Sequence, residues 1–191
     1  YYVSPEGSDT NDGKSENKPW LTLSSLETQQ AFASVVSESV TILIRRNATY
    51  VNDPLRLNVE NIHGSVFLGA YGDPSLPRPL LIQGRGLNVL KMACVTVSGI
   101  SSFGVEVDNL YLSGCAQGLV LQASAAAVAK NVRVSNSIFS DIRTPLLRYT
   151  PPNPAWANAI KVASGNFQNL TIVNNVASRI DVFFSSTAYI L

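Results

Sequence analysis

Charged side chains are scarce in this sequence. Lys, Arg, Asp and Glu together make up 14% of its 191 residues, whereas hydrophobic residues make up 46%. Soluble domains usually carry about 25% charged residues, so this composition favours strands over surface helices. The formal net charge is only +1, which excludes a strongly basic footprint for a nucleic acid or a membrane surface. No apolar run reaches the roughly 18 residues of a membrane span, so we expect neither partner.

Cysteine and histidine are almost absent. The two cysteines, Cys94 and Cys115, form no Cys-x-x-Cys motif, and His63 is the single histidine. A disulfide-rich scaffold and a zinc site are therefore excluded. The cysteines are 21 residues apart, about one repeat of the pattern described below, so they could lie on neighbouring strands. A disulfide between them and a pair of buried thiols both stay open.

One segment has a helical pattern. Within residues 21–37, Leu23, Leu26 and Phe32 lie near helical spacing, and a threonine just before them can cap the start. We predict one amphipathic helix over residues 21–37, inside a cap segment that spans residues 1–37.

The rest of the chain is patterned as strands and turns. Residues from Leu55 to Val59 alternate between apolar and polar side chains, as a half-buried strand does. Proline and glycine fall between the apolar runs and not inside them, as strand-and-turn architecture requires. Further strands are predicted at Val40–Ile44, Ser65–Leu68 and Leu80–Ile82.

The second half of the sequence repeats. Three segments share an asparagine followed by an apolar–variable–apolar triplet: Asp108–Gly114, Lys130–Asn136 and Gln168–Asn174. The second begins 22 residues after the first, and the third begins 38 residues after the second, with a proline-rich stretch about residues 144–156 as the excess. The alternation points the two apolar side chains into a shared core and the middle one outward. Such repeats predict a solenoid of coils over residues 38–191, with one inserted loop.

Four stretches carry a family resemblance: Tyr1–Gly13, Pro19–Leu23, Ile42–Tyr50 and Val66–Gly72. Together they resemble the pectate-lyase-like right-handed parallel β-helix superfamily. The resemblance implies an all-β protein: a right-handed parallel β-helix with a short N-terminal capping α-helix, secreted and extracellular, with residues 1–191 as one domain. The apolar segment Phe183–Leu191 has no cap of its own. We therefore expect either the N-terminal part of a longer protein or homo-assembly through an open C-terminal end.

The resemblance also implies chemistry to search for. Pectate-lyase-like enzymes use an Arg or Lys base with Ca²⁺ held by acidic side chains, and hydrolases on this fold use several Asp residues. The paired-aspartate motifs of polygalacturonase-like enzymes are missing here. Two weak catalytic candidates are left: Lys161 with Glu106 and Asp108, and Arg179 with Asp181 on one side of a strand. A surface salt bridge is the commoner role for such pairs.

Polar turns hold the remaining candidate sites. Asp9, Asn11 and Asp12 could bind Ca²⁺ through their oxygens, but their spacing is not that of an EF-hand, and a hydrogen-bonded turn is favoured. Two N-glycosylation sequons begin at Asn47 and Asn169, near predicted strand ends from which a glycan can project.

These observations favour a non-catalytic module, because the predicted strands show no carboxylate cluster. We expect an extracellular, N-glycosylated structural or adhesive component of a surface assembly or fibre. Its expected partners are glycans or polysaccharides, and it needs no cofactor. Trp156, in the inserted loop, could stack on a sugar ring. The alternative is a polysaccharide lyase, or a related carbohydrate-active enzyme, that acts on acidic polysaccharides with Ca²⁺.

Overall fold

Strands make up most of the regular structure. The computed structural model describes residues 1–28, 32, 34–83, 93–125, 127–143, 157–187 and 189–190. In chain order the strands are β1 (Tyr2–Val3), β2 (Val40–Arg45), β3 (Thr49–Val51), β4 (Leu55–Asn58), β5 (Val66–Tyr71), β6 (Leu80–Ile82), β7 (Ala93–Ile100), β8 (Val105–Asp108), β9 (Tyr111–Ser113), β10 (Gln117–Ala123), β11 (Val128–Lys130), β12 (Val132–Ser135), β13 (Ile138–Ser140), β14 (Asn158–Ser164), β15 (Asn166–Gln168), β16 (Thr171–Val173), β17 (Val176–Ser178), β18 (Val182–Ser186) and β19 (Tyr189–Ile190). The one helix of the described ranges, α1 (Ser25–Thr28), is far too short to cross a membrane.

The strands form four parallel sheets, which confirms the predicted all-β class. The first sheet has the order β1-β2-β5-β8-β12-β16, the second β3-β6-β9-β13-β17, the third β4-β7-β10-β14-β18 and the fourth β11-β15-β19. From β2 onward the chain passes through the first, second and third sheets in constant order. After β10 it also passes through the fourth sheet before it returns to the first. Each returning strand therefore pairs with a strand from the preceding passage.

The core consists of side-chain rows in register. In the first sheet Ile42 lies opposite Leu68, Leu68 opposite Val107, and Val107 opposite Val134. All four are at most 1% exposed and belong to one buried cluster with members from all four sheets. Burying a side chain of this kind contributes about 1.5–3 kcal/mol. The rows therefore hold each strand in one register against its neighbours.

Asparagine marks the corners at which the chain passes from one sheet to the next. Seven of the nine described non-glycine residues with positive φ are asparagines. Asn109, Asn136 and Asn174 occupy equivalent corners after β8, β12 and β16, with φ values of 63°, 49° and 55°. Asparagine adopts this left-handed region more readily than other residues with a Cβ atom. The corners are therefore encoded locally.

The strand register corrects the predicted repeat. Arg133 lies opposite Glu106 on one side and Thr171 on the other, whereas Tyr111 lies opposite Ile138 in the second sheet. The 38-residue spacing is found between β12 and β16, but the 22-residue spacing is wrong, because β12 pairs with β8 at a spacing of 27 residues. Strands of the first and second sheets share the same alternation and the same asparagine corner. A local pattern does not distinguish them.

The predicted capping helix over residues 21–37 is also wrong for the part of it that is described. Helical structure is confined to the single turn of α1. Beyond α1 the chain enters β-pairing, because Val36 forms a parallel bridge with Ile62. This tertiary contact overrides the helical spacing of the apolar residues. Residues 29–31 and 33 lie outside the described residues.

An aromatic cluster lies at the β1 end of the first sheet. Tyr1 stacks on Trp20 with ring centroids 5.0 Å apart and meets Phe32 edge to face at 5.5 Å. Trp20 is buried, and its indole N–H donates a hydrogen bond to the carbonyl of Asn11 at 2.8 Å. Gly13 has a φ of 64°, and a Cβ added there would lie 2.7 Å from a carbon of the indole. Only glycine fits both the backbone and the ring at this position.

Two carboxylates hold the segment that leads into α1. Asp9 accepts hydrogen bonds from two successive backbone N–H groups, and Asp53 accepts them from the next two, at 2.6–3.1 Å. The four donors are Leu21, Thr22, Leu23 and Ser24. Backbone donors ahead of a helix need such partners, which distant side chains supply here.

The opposite end of the sheets is apolar and exposed. The last strand of each sheet carries a hydrophobic residue in register with a buried core residue of the strand before it. Phe184 is 36% exposed and Ile190 is 45% exposed at these positions. The four end residues are Ile172, Ala177, Phe184 and Ile190. This surface is what the predicted homo-assembly needs, and the assembly stays a prediction.

Cys94 and Cys115 meet across neighbouring strands of the third sheet. Cys94 lies in β7, and Cys115 lies two residues before β10, which pairs with β7. Both residues are buried, their Cα atoms are 5.7 Å apart, and the structure joins the sulfur atoms as a disulfide. This Cα separation suits a disulfide.

We expect Asp9→Asn to lower the free energy of unfolding by about 1 kcal/mol near pH 7. Burial raises the pKa of Asp9, but hydrogen bonds donated by Ser25, Thr22 and Leu21 outweigh it and hold the pKa below its ordinary value. Stability from a lowered carboxyl pKa is present above the unfolded-state pKa and is lost as the pH falls through the folded-state pKa. Urea denaturation measures the difference from wild type, which should shrink on acidification.

Asp12→Asn is the matched control for this measurement. The Asp12 carboxylate accepts one printed turn bond, from the Lys14 N–H at 3.0 Å, so its replacement should cost less. A loss at Asp9→Asn that has the same size at neutral and acidic pH contradicts the role of the ionised Asp9 carboxylate.

Loss of the disulfide should lower the free energy of unfolding by about 3 kcal/mol. The measurement compares the oxidised chain with the reduced chain and with the double variant Cys94→Ser/Cys115→Ser, each in urea. Alkylation of the urea-unfolded, unreduced chain should leave both cysteines unmodified. Modification of both thiols without reductant would show that they are free.

Candidate functional site

A row of outward side chains crosses the first sheet. Phe67 lies opposite Glu106, Glu106 opposite Arg133, and Arg133 opposite Thr171. Each is one position away from a buried core residue, so strand alternation points it outward. All four are at least partly exposed. Because neighbouring strands are about 4.8 Å apart, the row spans about 15 Å.

A shallow groove lies over this row, at the amino-terminal ends of β5, β8 and β12. Its volume is about 370 Å³. It combines an aromatic ring, an ion pair and two amides. The residues that supply these groups or border them are Phe103, Glu106, Asn131, Arg133, Asn169 and Thr171.

The aromatic part of the groove is a stacked pair of rings. Phe103, two residues before β8, is 48% exposed. The imidazole of His63 stacks on it with ring centroids 5.9 Å apart and an interplanar angle of 20°. A half-exposed ring that is held by a second ring offers a flat apolar surface to a ligand.

The charged part of the groove is an ion pair between neighbouring strands. The Nε of Arg133 lies 3.3 Å from Oε1 of Glu106, and the two side chains are 44% and 41% exposed. An exposed pair of this kind contributes only about 0–1 kcal/mol to stability. Its main chemical effect is to hold a donor fork and an acceptor side by side at the groove.

Two stacked amides form one border of the groove. The side-chain nitrogen of Asn169 donates a hydrogen bond to Oδ1 of Asn131 at 3.2 Å. Both residues lie in the left-handed region, with φ values of 59° and 54°. Gly104 has a φ of 87° beside them, and a Cβ added there would lie 3.2 Å from the carbonyl oxygen of Asn131. Glycine therefore keeps this part of the groove open.

A second groove lies between α1 and β4, and it is a weaker candidate. It offers Glu27, Arg56 and Asn58. Its one aromatic lining residue, Phe32, is only 7% exposed. This groove therefore has charge and amide groups but no exposed ring for stacking.

The predicted grouping of Lys161 with Glu106 and Asp108 does not occur. Lys161 lies in β14 of the third sheet, whereas the two carboxylates lie in β8 of the first. Asp108 instead accepts hydrogen bonds from the hydroxyl of Ser135 at 2.8 Å and the amide of Asn136 at 2.7 Å. Glu106 pairs with arginine, as described above. The carboxylate of Asp108 thus joins one strand to the next corner.

The structure also corrects the second catalytic candidate. Arg179 and Asp181 lie in the turn between β17 and β18 and not on a strand, and Arg179 has a φ of 52°. The guanidinium donates two hydrogen bonds to the carboxylate of Asp141, at 2.8 and 2.7 Å. This contact raises the pKa of Arg179 above its ordinary value. Arg179 is thus engaged by the carboxylate of a neighbouring corner, which opposes a role as a free base.

The calcium candidates form a hydrogen-bonded turn. Asp9 binds the backbone ahead of α1, the amide of Asn11 donates to the carbonyl of Pro19 at 2.8 Å, and Asp12 accepts from Lys14 at 3.0 Å. Across the residues that the structure describes, no group of three or more His, Cys, Asp or Glu is placed to hold a metal ion.

The two sequons lie at different corners. Asn47 follows β2, at the carboxyl-terminal ends of the first-sheet strands, and Asn169 precedes β16, at their amino-terminal ends. Both are exposed, with φ values of 56° and 59°. Asn169 borders the groove and Asn47 does not. The proline-rich stretch 144–156, with Trp156, lies outside the described residues.

Local sequence patterns do not reveal this groove. His63 has the signature of a turn residue, and Phe103 belongs to no repeat. The one local signal is the outward middle position of the repeat, which Arg133 occupies. Its partner Glu106 is 27 residues away, and only the strand register brings the two together.

No protein-family model matches the chain, and no curated protein matches it significantly. Two solved structures are similar in fold. The native crystal structure of GH136 lacto-N-biosidase from Eubacterium ramulus covers 100% of this chain at 17% identity, with a TM-score of 0.71. Its selenomethionine derivative covers 94% at 18% identity, with a TM-score of 0.66. The chain spans 36% and 34% of those chains, so it shares its parallel, all-β fold with about one third of a lacto-N-biosidase.

Proposed function

We propose that this chain is a secreted, non-catalytic module that binds glycans in the groove of the first sheet. The observation that carries the proposal is the exposed, stacked Phe103 ring beside the Glu106–Arg133 pair. A pyranose has an apolar C–H face and a rim of hydroxyl groups. Binding sites for such ligands combine an apolar surface with a few placed polar groups, and this groove has both.

The fold part of the proposal is a right-handed parallel β-helix. The constant order in which the chain passes through its sheets supports the helix, since each passage adds one strand to every sheet. Crossovers between parallel strands of one sheet are right-handed in about 98% of cases. The chirality of the chain supports the same hand here.

The structural neighbours guide the choice of glycan. A lacto-N-biosidase shares the fold, although a shared fold does not carry an activity with it. Oligosaccharides of the lacto-N type are therefore the first ligands to test, with neutral and acidic polysaccharides after them.

Secretion is supported by the cysteines and the sequons. A buried disulfide between Cys94 and Cys115 suits an oxidising compartment. The sequons at Asn47 and Asn169 are exposed at corners, where glycans can be attached.

The lack of an assembled acid–base pair favours binding over catalysis. Lys161, Arg179 and Asp181 lie apart from the groove, in the third sheet and in the turn before β18. Glu106 and Asp108 share the outer face of β8, with Cα atoms about 7 Å apart from the strand rise. Both carboxylates already bind neighbouring side chains. The pair is nevertheless the one place where a hydrolytic alternative should be tested.

Phe103→Ala should weaken glycan binding at least about tenfold, because truncating an aromatic anchor commonly costs more than 1 kcal/mol. Isothermal titration of the unglycosylated chain with the glycan that binds best measures the loss. Phe183→Ala is the matched control, since Phe183 is also 36% exposed but lies near the end of the third sheet. Equal weakening by both substitutions, or by neither, contradicts binding in the groove.

Glycan cleavage is the second measurement. The chain should release no product from lacto-N-type oligosaccharides, and no unsaturated product from acidic polysaccharides with Ca²⁺. Turnover that disappears in both Glu106→Gln and Asp108→Asn would replace the binding proposal with hydrolysis at β8.

A further inference from the structure

Asn169 belongs at once to a sequon and to the groove. The sequon reads Asn169-Leu170-Thr171, and both the asparagine and the threonine border the groove. We propose that an N-glycan on Asn169 lies in the groove of this same chain and competes there with external glycans. This inference rests on the proposed function and adds its regulation: attachment of one glycan closes the site.

The position of Asn169 suits attachment. Its side chain is exposed, and its φ of 59° places it in a turn between β15 and β16. Transfer forms a bond between Nδ2 and the first carbon of the sugar. The bond from that carbon to the diphosphate of a lipid-linked oligosaccharide donor breaks, the lipid diphosphate leaves, and the amide nitrogen gives up one proton. The remaining N–H can still donate to Oδ1 of Asn131, the hydrogen bond seen at 3.2 Å.

The retained hydrogen bond directs the glycan along the sheet. It fixes the Asn169 amide on the neighbouring corner, at Asn131, and the next strand inward carries Glu106 and the adjacent Phe103. Two strand spacings, about 10 Å, separate the β16 strand from β8. A branched glycan of several sugars covers this distance. Its own sugar faces meet the same ring and ion pair that an external glycan needs.

The second sequon provides a matched comparison. Asn47 is also an exposed asparagine in the left-handed region, with a φ of 56°. It lies after β2, at the opposite ends of the first-sheet strands, and its backbone N–H donates to the carbonyl of Pro77. A glycan there starts outside the groove.

The experiment compares the chain secreted from eukaryotic cells with the chain made in bacteria, which adds no glycan at these sequons. Mass spectrometry of peptides should find a glycan on Asn169. The secreted wild type should bind the test oligosaccharide at least about tenfold more weakly than the bacterial wild type. Secreted Thr171→Val, which loses the sequon hydroxyl but keeps Asn169, should bind more tightly than secreted wild type. Secreted Asn47→Gln should match secreted wild type.

Three outcomes overturn the inference: an unmodified Asn169 in the secreted chain, equal binding by the secreted and bacterial wild types, or relief of the block by Asn47→Gln. Hydrogen exchange separates this inference from the proposed function. Glycosylation should slow amide exchange around Phe103 and Arg133 even if no external glycan binds. If no form binds any glycan, the proposed function fails. The inference of a groove-bound glycan then stands or falls on that protection.

Discussion

The registered stacking of aliphatic side chains across the first sheet is the constraint on which the rest of the structure depends. Ile42, Leu68, Val107 and Val134 lie opposite one another and are buried. A slip of one residue would turn each of these strands inside out, because alternate side chains face opposite sides of a sheet. Packing of the core thus sets the outer face as well, since each outward side chain is next to an inward one.

The groove is a consequence of that register. Glu106 and Arg133 are neighbours because Val107 and Val134 pair in the core. The corners contribute the rest, since the turn ahead of β8 carries Phe103 and the stacked asparagines border its neighbours. Side chains from three or more separate segments therefore meet without any helix or long loop among the residues described. Strand pairing alone brings polar groups and an exposed ring to one surface.

The sequence predicts those features that depend on local rules. Strand alternation located β2, β4, β5 and β6 to within three residues at each end, and asparagine located the corners. Prediction failed where distant residues decide the outcome. The helical spacing after Leu23 lost to the bridge between Val36 and Ile62, and Arg179 was claimed by Asp141 from a neighbouring corner. The groove itself needed the 27-residue register between β8 and β12, which no local pattern encodes.

A crystal structure of the bacterial, unglycosylated chain with bound oligosaccharide tests the central claim most directly. The account predicts a sugar ring whose C–H face lies on Phe103, with hydroxyl groups bonded to Glu106 or Arg133 and to the amide of Asn131. A sugar seated in the groove between α1 and β4, or on the exposed end of the sheets, would contradict the account.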